Sequence, residues 1–309
     1  MADQQQPVRG WRPGPGLLGF RISASTAPPD WQTIDAVWGA AGEAEVFDAG
    51  WMSDHLSDVS RAQGGGAFET VAMAGALAHR VPGLWMGVAV FAATFRHPAL
   101  LAKSATVLDN VTGGRFILGL GTGWHEGEHR SFGIPLPPPA ERFDRFESYV
   151  ATVHALLSDE ACREPGITRD DPFFPLEQAT NEPPPLRPGG PPLWLGGQRR
   201  RGIALAVRYA QGWPMPGNMC GDVDYFAERR DVIRRALEDA GRDPAEFIFA
   251  GQVACGNSSG ERRQALEVSK RMLRAGADHL ILAVPAGAGA EGLRAMAEEV
   301  ARPLREWAA

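Results

Sequence analysis

Lysine is almost missing from this chain. Only Lys103 and Lys270 occur, so nearly all of the 31 basic residues are arginine. The skew reads as a coding bias and not as chemistry. Cysteine is scarce too. Cys162, Cys220 and Cys255 are scattered, with no CxxC pair, which argues against a disulfide framework or a structural zinc cluster. No apolar run approaches membrane-spanning length, and the opening stretch MADQQQPVRGWRPGPG lacks the apolar core of a secretory signal. An excess of positive charge is absent as well. The net charge is −6, the pI is about 5.7 and there is no basic stripe, which speaks against nucleic acid as a partner. A soluble cytoplasmic protein, with neither membrane nor nucleic acid as partner, is the expectation.

What is present is material for a large core. The 309 residues are 44% hydrophobic. A chain of this length holds either about two domains or one α/β barrel. Residues 1–16 read as a disordered lead-in and 17–309 as a single barrel domain. Apolar β-like runs alternate with helical patterns. The runs are LLGFRIS (17–23), GWMSD (50–54), LWMGVAVF (84–91), RFILGLG (115–121), PPLWLGG (191–197), GWPM (212–215), FIFAGQVAC (247–255) and DHLILAVP (278–285). Each precedes a helical pattern, giving the eight βα units that a closed (β/α)8 TIM barrel needs. Several runs are almost continuously apolar, as parallel strands buried on both faces should be. An open doubly wound sheet is the rival. Residues 159–190 interrupt the rhythm with a Pro-rich insertion. It is too long for an ordinary loop and reads as either disordered or an excursion covering the site.

In a barrel, catalytic groups sit where strands end and βα loops begin. That rule selects Ser53-Asp54-His55, residues 89–94, Gly121 to His129, and Gly196-Gly197-Gln198-Arg199. His55 follows an apolar strand beside an acid, which suits proton transfer or a hydrogen bond to a bound ring. The alternative is a rim histidine beside a capping Asp54. The stretch GTGWHEGEH contains HExxH spacing, His125 to His129, a zinc-peptidase signature. Its context is poor, because glycines and no helix precede it and Gly127 weakens a helix by about 1 kcal/mol. A dinucleotide GxGxxG fails too, since Trp124 and Glu126 stand where glycine is needed. The glycines suit either close approach by a ligand or a tight turn. Gly196, Gly197, Gln198 and Arg199 open a helix, where free N–H groups and arginine can hold phosphate. Arg96 and His97 read as structural or rim residues. Glu69 reads as a first-turn carboxylate, and His79, His154 and His279 read as structural.

The segments WMSDHL, TFRHPALLAK, LDNVTGGRFILGLGTGWHEGEHRSFGIPLPP, ERFDRFESY and PPLWLGG follow one another in order. Together they resemble the bacterial-luciferase-like flavin and deazaflavin oxidoreductase superfamily, most closely its members dependent on coenzyme F420. The resemblance implies a (β/α)8 barrel, usually a homodimer, with F420 or FMN across the barrel mouth. It places Asp54 and His55 beside the ring. Ala89, Val90 and Phe91 become the supporting backbone, where the family often has a non-proline cis peptide. Gly121, Thr122, Gly123 and Trp124 become the adjoining loop, and Gly196, Gly197, Gln198 and Arg199 the phosphate clamp. His55 and Glu128 are the expected catalytic groups, with Trp124 and Phe91 shaping an apolar pocket. No metal site is expected. Ala92 and Ala93 depart from the family, which often has hydroxyl or amide side chains there, and Trp124 replaces a glutamate found in sugar-phosphate dehydrogenases. The implied function is hydride transfer between reduced or oxidised F420 and a small organic substrate. An FMN- and O2-dependent monooxygenase is the alternative on the same fold. A zinc peptidase at HEGEH is a distant one, and a barrel that has lost its cofactor and only binds a ligand is another.

Overall fold

The computed structural model describes residues 15–23, 30–57 and 66–309. Residues 1–14 of the expected lead-in lie outside the described residues. Eight parallel strands close into a barrel. They are β1 (Leu18–Ser23), β2 (Ala49–Met52), β3 (Trp85–Ala92), β4 (Phe116–Gly121), β7 (Leu193–Leu195), β8 (Gly212–Pro214), β9 (Ile248–Ala254) and β10 (His279–Pro285). Neighbours in sequence are neighbours in the barrel, and β10 closes it by pairing with β1 from Leu18↔Leu280 to Ser23↔Pro285. The outer layer holds α1 (Trp31–Ala44), α2 (Thr70–Ala78), α3 (Pro98–Val111), α4 (Glu126–Ser131), α5 (Pro139–Leu156), α6 (Arg200–Tyr209), α7 (Val223–Asp239), α8 (Ser259–Arg274), α9 (Gly289–Met296) and α10 (Arg302–Ala308). A π turn, Ala297–Ala301, joins the last two.

Sequence and caps agree at most helix starts. Asp30, Glu69, His97, Asp222 and Ser258 each accept a hydrogen bond from a first-turn N–H, satisfying a donor the helix leaves free. Glu69 is therefore the cap itself, one position before the first turn. The short α4 is absent from the sequence reading, because six residues containing Gly127 carry no helical periodicity. The insertion at 159–190 is ordered. It forms an antiparallel hairpin of β5 (Ile167–Arg169) and β6 (Leu176–Ala179). Side chains pin its flanks to α3. Asn181 Nδ2 donates to Thr106 Oγ1 at 3.0 Å, and the Arg187 N–H donates to Asp109 Oδ2 at 2.8 Å. Its later flank therefore lies along the outer face of α3, while Phe174 packs against His97 and Tyr149.

The barrel interior is filled, not hollow. Alternate residues point inward along a strand. The inward set here comprises Ala49, Trp51, Ile117, Trp194, Ala250 and Ile281. The two indoles meet at 4.9 Å between centroids. Their bulk fits because glycine stands opposite. A Cβ on Gly19 or Gly87 would lie within 2.5 Å of Trp51, and one on Gly212 within 2.5 Å of Trp194. Burying an indole removes some 150–250 Å² from water, roughly 4–6 kcal/mol each. That exceeds any exposed ion pair on this surface, at about 0–1 kcal/mol.

His279, at the start of β10, ties the plug to the chain. Its Nε2 accepts from Trp51 Nε1 at 2.9 Å, and its Nδ1 donates to the Gly16 carbonyl at 2.8 Å. Gly16 is thereby part of the ordered fold. Burial holds the His279 pKa down at about 4, against 6.5 for a free imidazole. The folded protein thus keeps a neutral ring where the unfolded chain takes up a proton. Stability from this group is present above pH 6.5 and lost as pH falls toward 4, on the order of 3 kcal/mol. Thermal melting points measured from pH 7 to pH 4 should drop through this window, and His279→Gln should flatten that part of the profile.

Candidate active site

The inward residues one layer above the tryptophan plug form the floor and walls of a cavity of about 570 Å³ at the C-terminal mouth. Two residues beyond Gly87 comes Ala89. Two beyond Ile117 comes Gly119 and two further comes Gly121, while two beyond Trp194 comes Gly196. All of Ala89, Gly121 and Gly196 line the cavity, as do Asp54, His55, Val90, Thr122, Gly123, Trp124, Glu128 and Gln198.

Strand β3 breaks its own alternation here. Its register against β4 shifts between Val88 and Phe91, and the Ala89–Val90 peptide is cis. The phase slip turns Val90 into the cavity and Phe91 outward. Phe91 is fully buried under the helices, with the Arg96 guanidinium 5.2 Å from its ring centroid. The expectation that Phe91 shapes the pocket is therefore corrected. Regular alternation would have put Phe91 on the same side as Ala89, and the shifted register reverses it.

Val90 also explains the strand 4 glycines. A Cβ on Gly121 would lie 2.5 Å from Val90 Cγ2, and one on Gly119 only 2.1 Å from the Val88 carbonyl. Gly123 has φ +76° and would meet Thr94 Oγ1 at 2.3 Å. These glycines make room for the neighbouring strand and a turn before they make room for any ligand.

Asp54 is held inside the protein. Its Oδ2 accepts from the Ala92 N–H at 2.9 Å and from Arg96 Nη1 at 2.6 Å, and its Oδ1 accepts from Arg96 Nη2 at 3.0 Å. Arg96 also donates to Glu69 Oε1 at 2.8 Å. The bidentate pair clamps the ends of β2 and β3 together, so Asp54 positions the loop that carries His55.

His55 Nδ1 lies 3.2 Å from Glu128 Oε2. Glu128 is buried, and its other oxygen accepts from the Leu56 and Ser57 N–H groups. The carboxylate thus fixes the orientation of the imidazole and leaves Nε2 for a bound molecule. Trp124, largely exposed, stands edge-on to His55 at the rim, 6.4 Å between centroids.

HEGEH proves to be the start of α4. His125 is its cap, with Nδ1 accepting from the Glu128 N–H at 3.0 Å. His129 is buried, with Nδ1 donating to the His125 carbonyl and Nε2 paired with Thr94 Oγ1, each at 2.8 Å. His129 is committed through both ring nitrogens and His125 through Nδ1, and both residues also line the cavity. Among the described residues, no three histidine, cysteine or acidic side chains converge as metal ligands.

At the start of α6, Gly196 borders the cavity, while Gly197 and Arg199 do not line it. A Cβ on Gly197 would meet the Gly202 backbone at 2.6 Å, so this glycine serves strand–helix packing. Arg199 is the exposed cap residue, and no side chain caps this helix. Arg201 is drawn away to Asp144 and Glu147. Gln198 is fixed by Tyr225, whose hydroxyl donates to Gln198 Oε1 at 2.6 Å.

Sequence reasoning missed one side of the cavity altogether. Arg21 of β1, Gln252 of β9 and the segment from Met215 to Asn218 also line it. The signal was available. Arg21 lies two residues past Gly19 and Gln252 two past Ala250, so both continue the inward phase of the plug.

With this geometry in hand, likeness to known proteins is informative. The luciferase-like monooxygenase family model matches residues 20–308. A phthiodiolone/phenolphthiodiolone dimycocerosates ketoreductase from Mycobacterium sp. (strain JLS) is 31% identical over 282 residues, covering 84% of this chain and 71% of that protein. An F420-dependent glucose-6-phosphate dehydrogenase from Nakamurella multipartita is 29% identical over 231 residues, covering 74% of this chain and 64% of that protein. The solved structure of long-chain alkane monooxygenase (LadA) shares the fold with TM-score 0.75 at 14% identity, covering 96% of this chain and 92% of that one.

The Asp54–Arg96 clamp has a measurable consequence. Asp54→Ala leaves a buried guanidinium short of its main partner and should cost about 3 kcal/mol of unfolding free energy in urea melts. Glu69→Ala, which loses an exposed cap, should cost about 1 kcal/mol.

Proposed function

The chain belongs to the luciferase-like monooxygenase family, and on that premise we propose that it is an oxidoreductase that uses coenzyme F420 for hydride transfer with a small organic carbonyl or alcohol. One observation carries the reading. A mouth cavity of about 570 Å³ has an apolar wall on the β3 side and, among the histidines that line it, His55 held in place by a buried carboxylate. The activities of the two relatives named above, a ketoreductase and an F420-dependent dehydrogenase, support the same reaction class.

The residues present fit a flat ring with a phosphate-bearing tail. Val90, Ala92 and Met215 offer apolar contact, and the volume lies within the range of small-molecule sites. Space remains beside Gly196, where a Cβ would come no nearer than 3.8 Å to any neighbour. The Ala89–Val90 backbone would support the ring, and Gly121 to Gly123 would border its edge. Gly196 and the free N–H groups at the start of α6 would take the phosphate. Ala92 and Ala93 bring no polar side chain, and their N–H groups are already donated to Asp54 and to the Gly121 carbonyl. On that side a ring would therefore be held by shape and apolar contact. When bound, the deazaflavin supplies the hydride donor or acceptor.

This chain's own part is the proton. His55 Nε2 donates to a carbonyl oxygen and gives up its proton as the carbon is reduced, so that C=O becomes CH–OH. In the opposite direction it takes the hydroxyl proton. The doubly protonated ring donates from Nε2 and is left as the Nδ1–H tautomer, whose proton Glu128 accepts as a hydrogen bond. A homodimer belongs to the same proposal. Helix α3 exposes Leu100, Val107 and Val111 at helical spacing, an apolar stripe suited to a second copy. Light scattering should show a dimer, and Val107→Glu should shift it toward monomer.

Fluorescence titrations with F420 and with FMN test the cofactor. F420 should bind at least tenfold more tightly. Tighter FMN binding with substrate-dependent O2 consumption moves the reading to a monooxygenase, and stoichiometric zinc in the same sample overturns it. His55→Ala should lower kcat by about 10²–10⁴-fold while leaving the F420 Kd within about twofold. An unchanged kcat removes the proton role from His55.

A further inference from the structure

Arg21 enters the cavity from β1 as a cation, and among the described residues no carboxylate pairs with it. Its Nε is buried without a hydrogen-bond partner. The side chain that acts on its charge is Cys220. Burial pushes that thiol's pKa up, so it stays neutral at pH 7 and does not balance the charge. Guanidinium remains charged throughout the physiological range. A desolvated cation without an anion is costly, and the cost is relieved when an anion arrives.

Gln252 stands beside it on β9. Its Nε2 donates to the Met215 carbonyl, which fixes the amide and leaves Oε1 as a buried acceptor with no partner. The two groups flank one spot. A methyl carbon on Gly217 would lie 3.7 Å from Arg21 Nη2 and 4.0 Å from Gln252 Oε1. An acceptor-seeking cation and a donor-seeking oxygen thus face the same space. They occupy the wall formed by β1, β8 and β9, apart from the Val90, Gly121 and Gly196 wall of β3, β4 and β7.

We infer that Arg21 and Gln252 form the substrate subsite, and that the substrate is an organic acid: its carboxylate pairs with Arg21 and a neighbouring hydroxyl or amine hydrogen-bonds Gln252 Oε1. The assignment rests on the oxidoreductase reading for the word substrate, but the anion site stands on its own geometry. Bidentate pairing of guanidinium with carboxylate would orient the acid, and the Gln252 contact would discriminate acids that bear an adjacent donor from those that do not.

Calorimetric titration with three probes of one shape tests this on the purified protein. Mandelate carries carboxylate and hydroxyl, benzoate carboxylate alone, and benzyl alcohol no charge. Affinity should fall in that order. Arg21→Gln should weaken mandelate and benzoate at least about tenfold, the loss expected for a hydrogen bond to a charged group, and leave benzyl alcohol unchanged. Gly217→Ala leaves both side chains intact but fills the space between them, and it should weaken mandelate as well. Equal affinity for the three probes, or an Arg21→Gln variant that binds mandelate like the wild type, overturns the subsite. F420 and its phosphate-free deazaflavin core are titrated in parallel. Arg21→Gln should leave both within twofold, whereas selective loss of F420 would assign Arg21 to the cofactor tail and also overturn the inference. If mandelate binds through Arg21 and F420 does not bind at all, the cofactor reading fails while the anion subsite stands.

Discussion

The packing of Trp51 against Trp194 inside the barrel sets the terms for the rest of the structure. Two indoles fill the lower interior, glycines at 19, 87 and 212 yield the space, and His279 holds one indole by a hydrogen bond. The barrel is therefore sealed below and open only where the strands end. Inward residues beneath the seal contribute to stability. Those one layer above it, including Arg21, Ala89, Gly121, Gly196 and Gln252, have no apolar plug over them and face a cavity. The same strand alternation assigns residues to both roles, and only height along the barrel separates them.

Above the plug, buried electrostatics take over from packing. The Asp54–Arg96 pair ties two strand ends together, and Glu128 ties α4 to the loop after β2 through His55 and two backbone N–H groups. In both cases a buried carboxylate has its oxygens occupied, as burial of charge requires. The two devices place His55 at the rim with one ring nitrogen committed. The cavity that results has two unlike walls. One is apolar and shaped by the phase slip in β3. The other carries a cation and an amide oxygen with unused hydrogen-bonding capacity.

The chain order of strands and helices was plain in the sequence because each strand is an apolar run and most helix starts carry a capping side chain. His55, Glu128, Val90, Gly121 and Gly196 were legible for a related reason: they stand at strand ends or in matched motifs. Phe91 was misassigned, since a register shift within an apolar run leaves no mark in residue types. Arg21 and Gln252 were passed over because each sits inside an apolar strand, where a single polar residue looks like an exposed face. HEGEH is the opposite case, a motif whose spacing suggests more than its context supports. Its spacing is that of a metal site, while its imidazoles cap and brace a short helix.

By itself the sequence determined the eightfold βα rhythm, the end of the barrel that would carry chemistry, and the family resemblance, because these depend on local apolar periodicity and on motifs in order. Only the tertiary structure decided which side of each strand faces the mouth, which carboxylates are spent on holding loops, and which polar atoms remain without partners. Those properties depend on what residues from distant strands bring to the same few ångströms. The Trp51–His279 bond spans 228 positions, and Arg21 and Gln252 face the same space only because β10 closes the barrel onto β1.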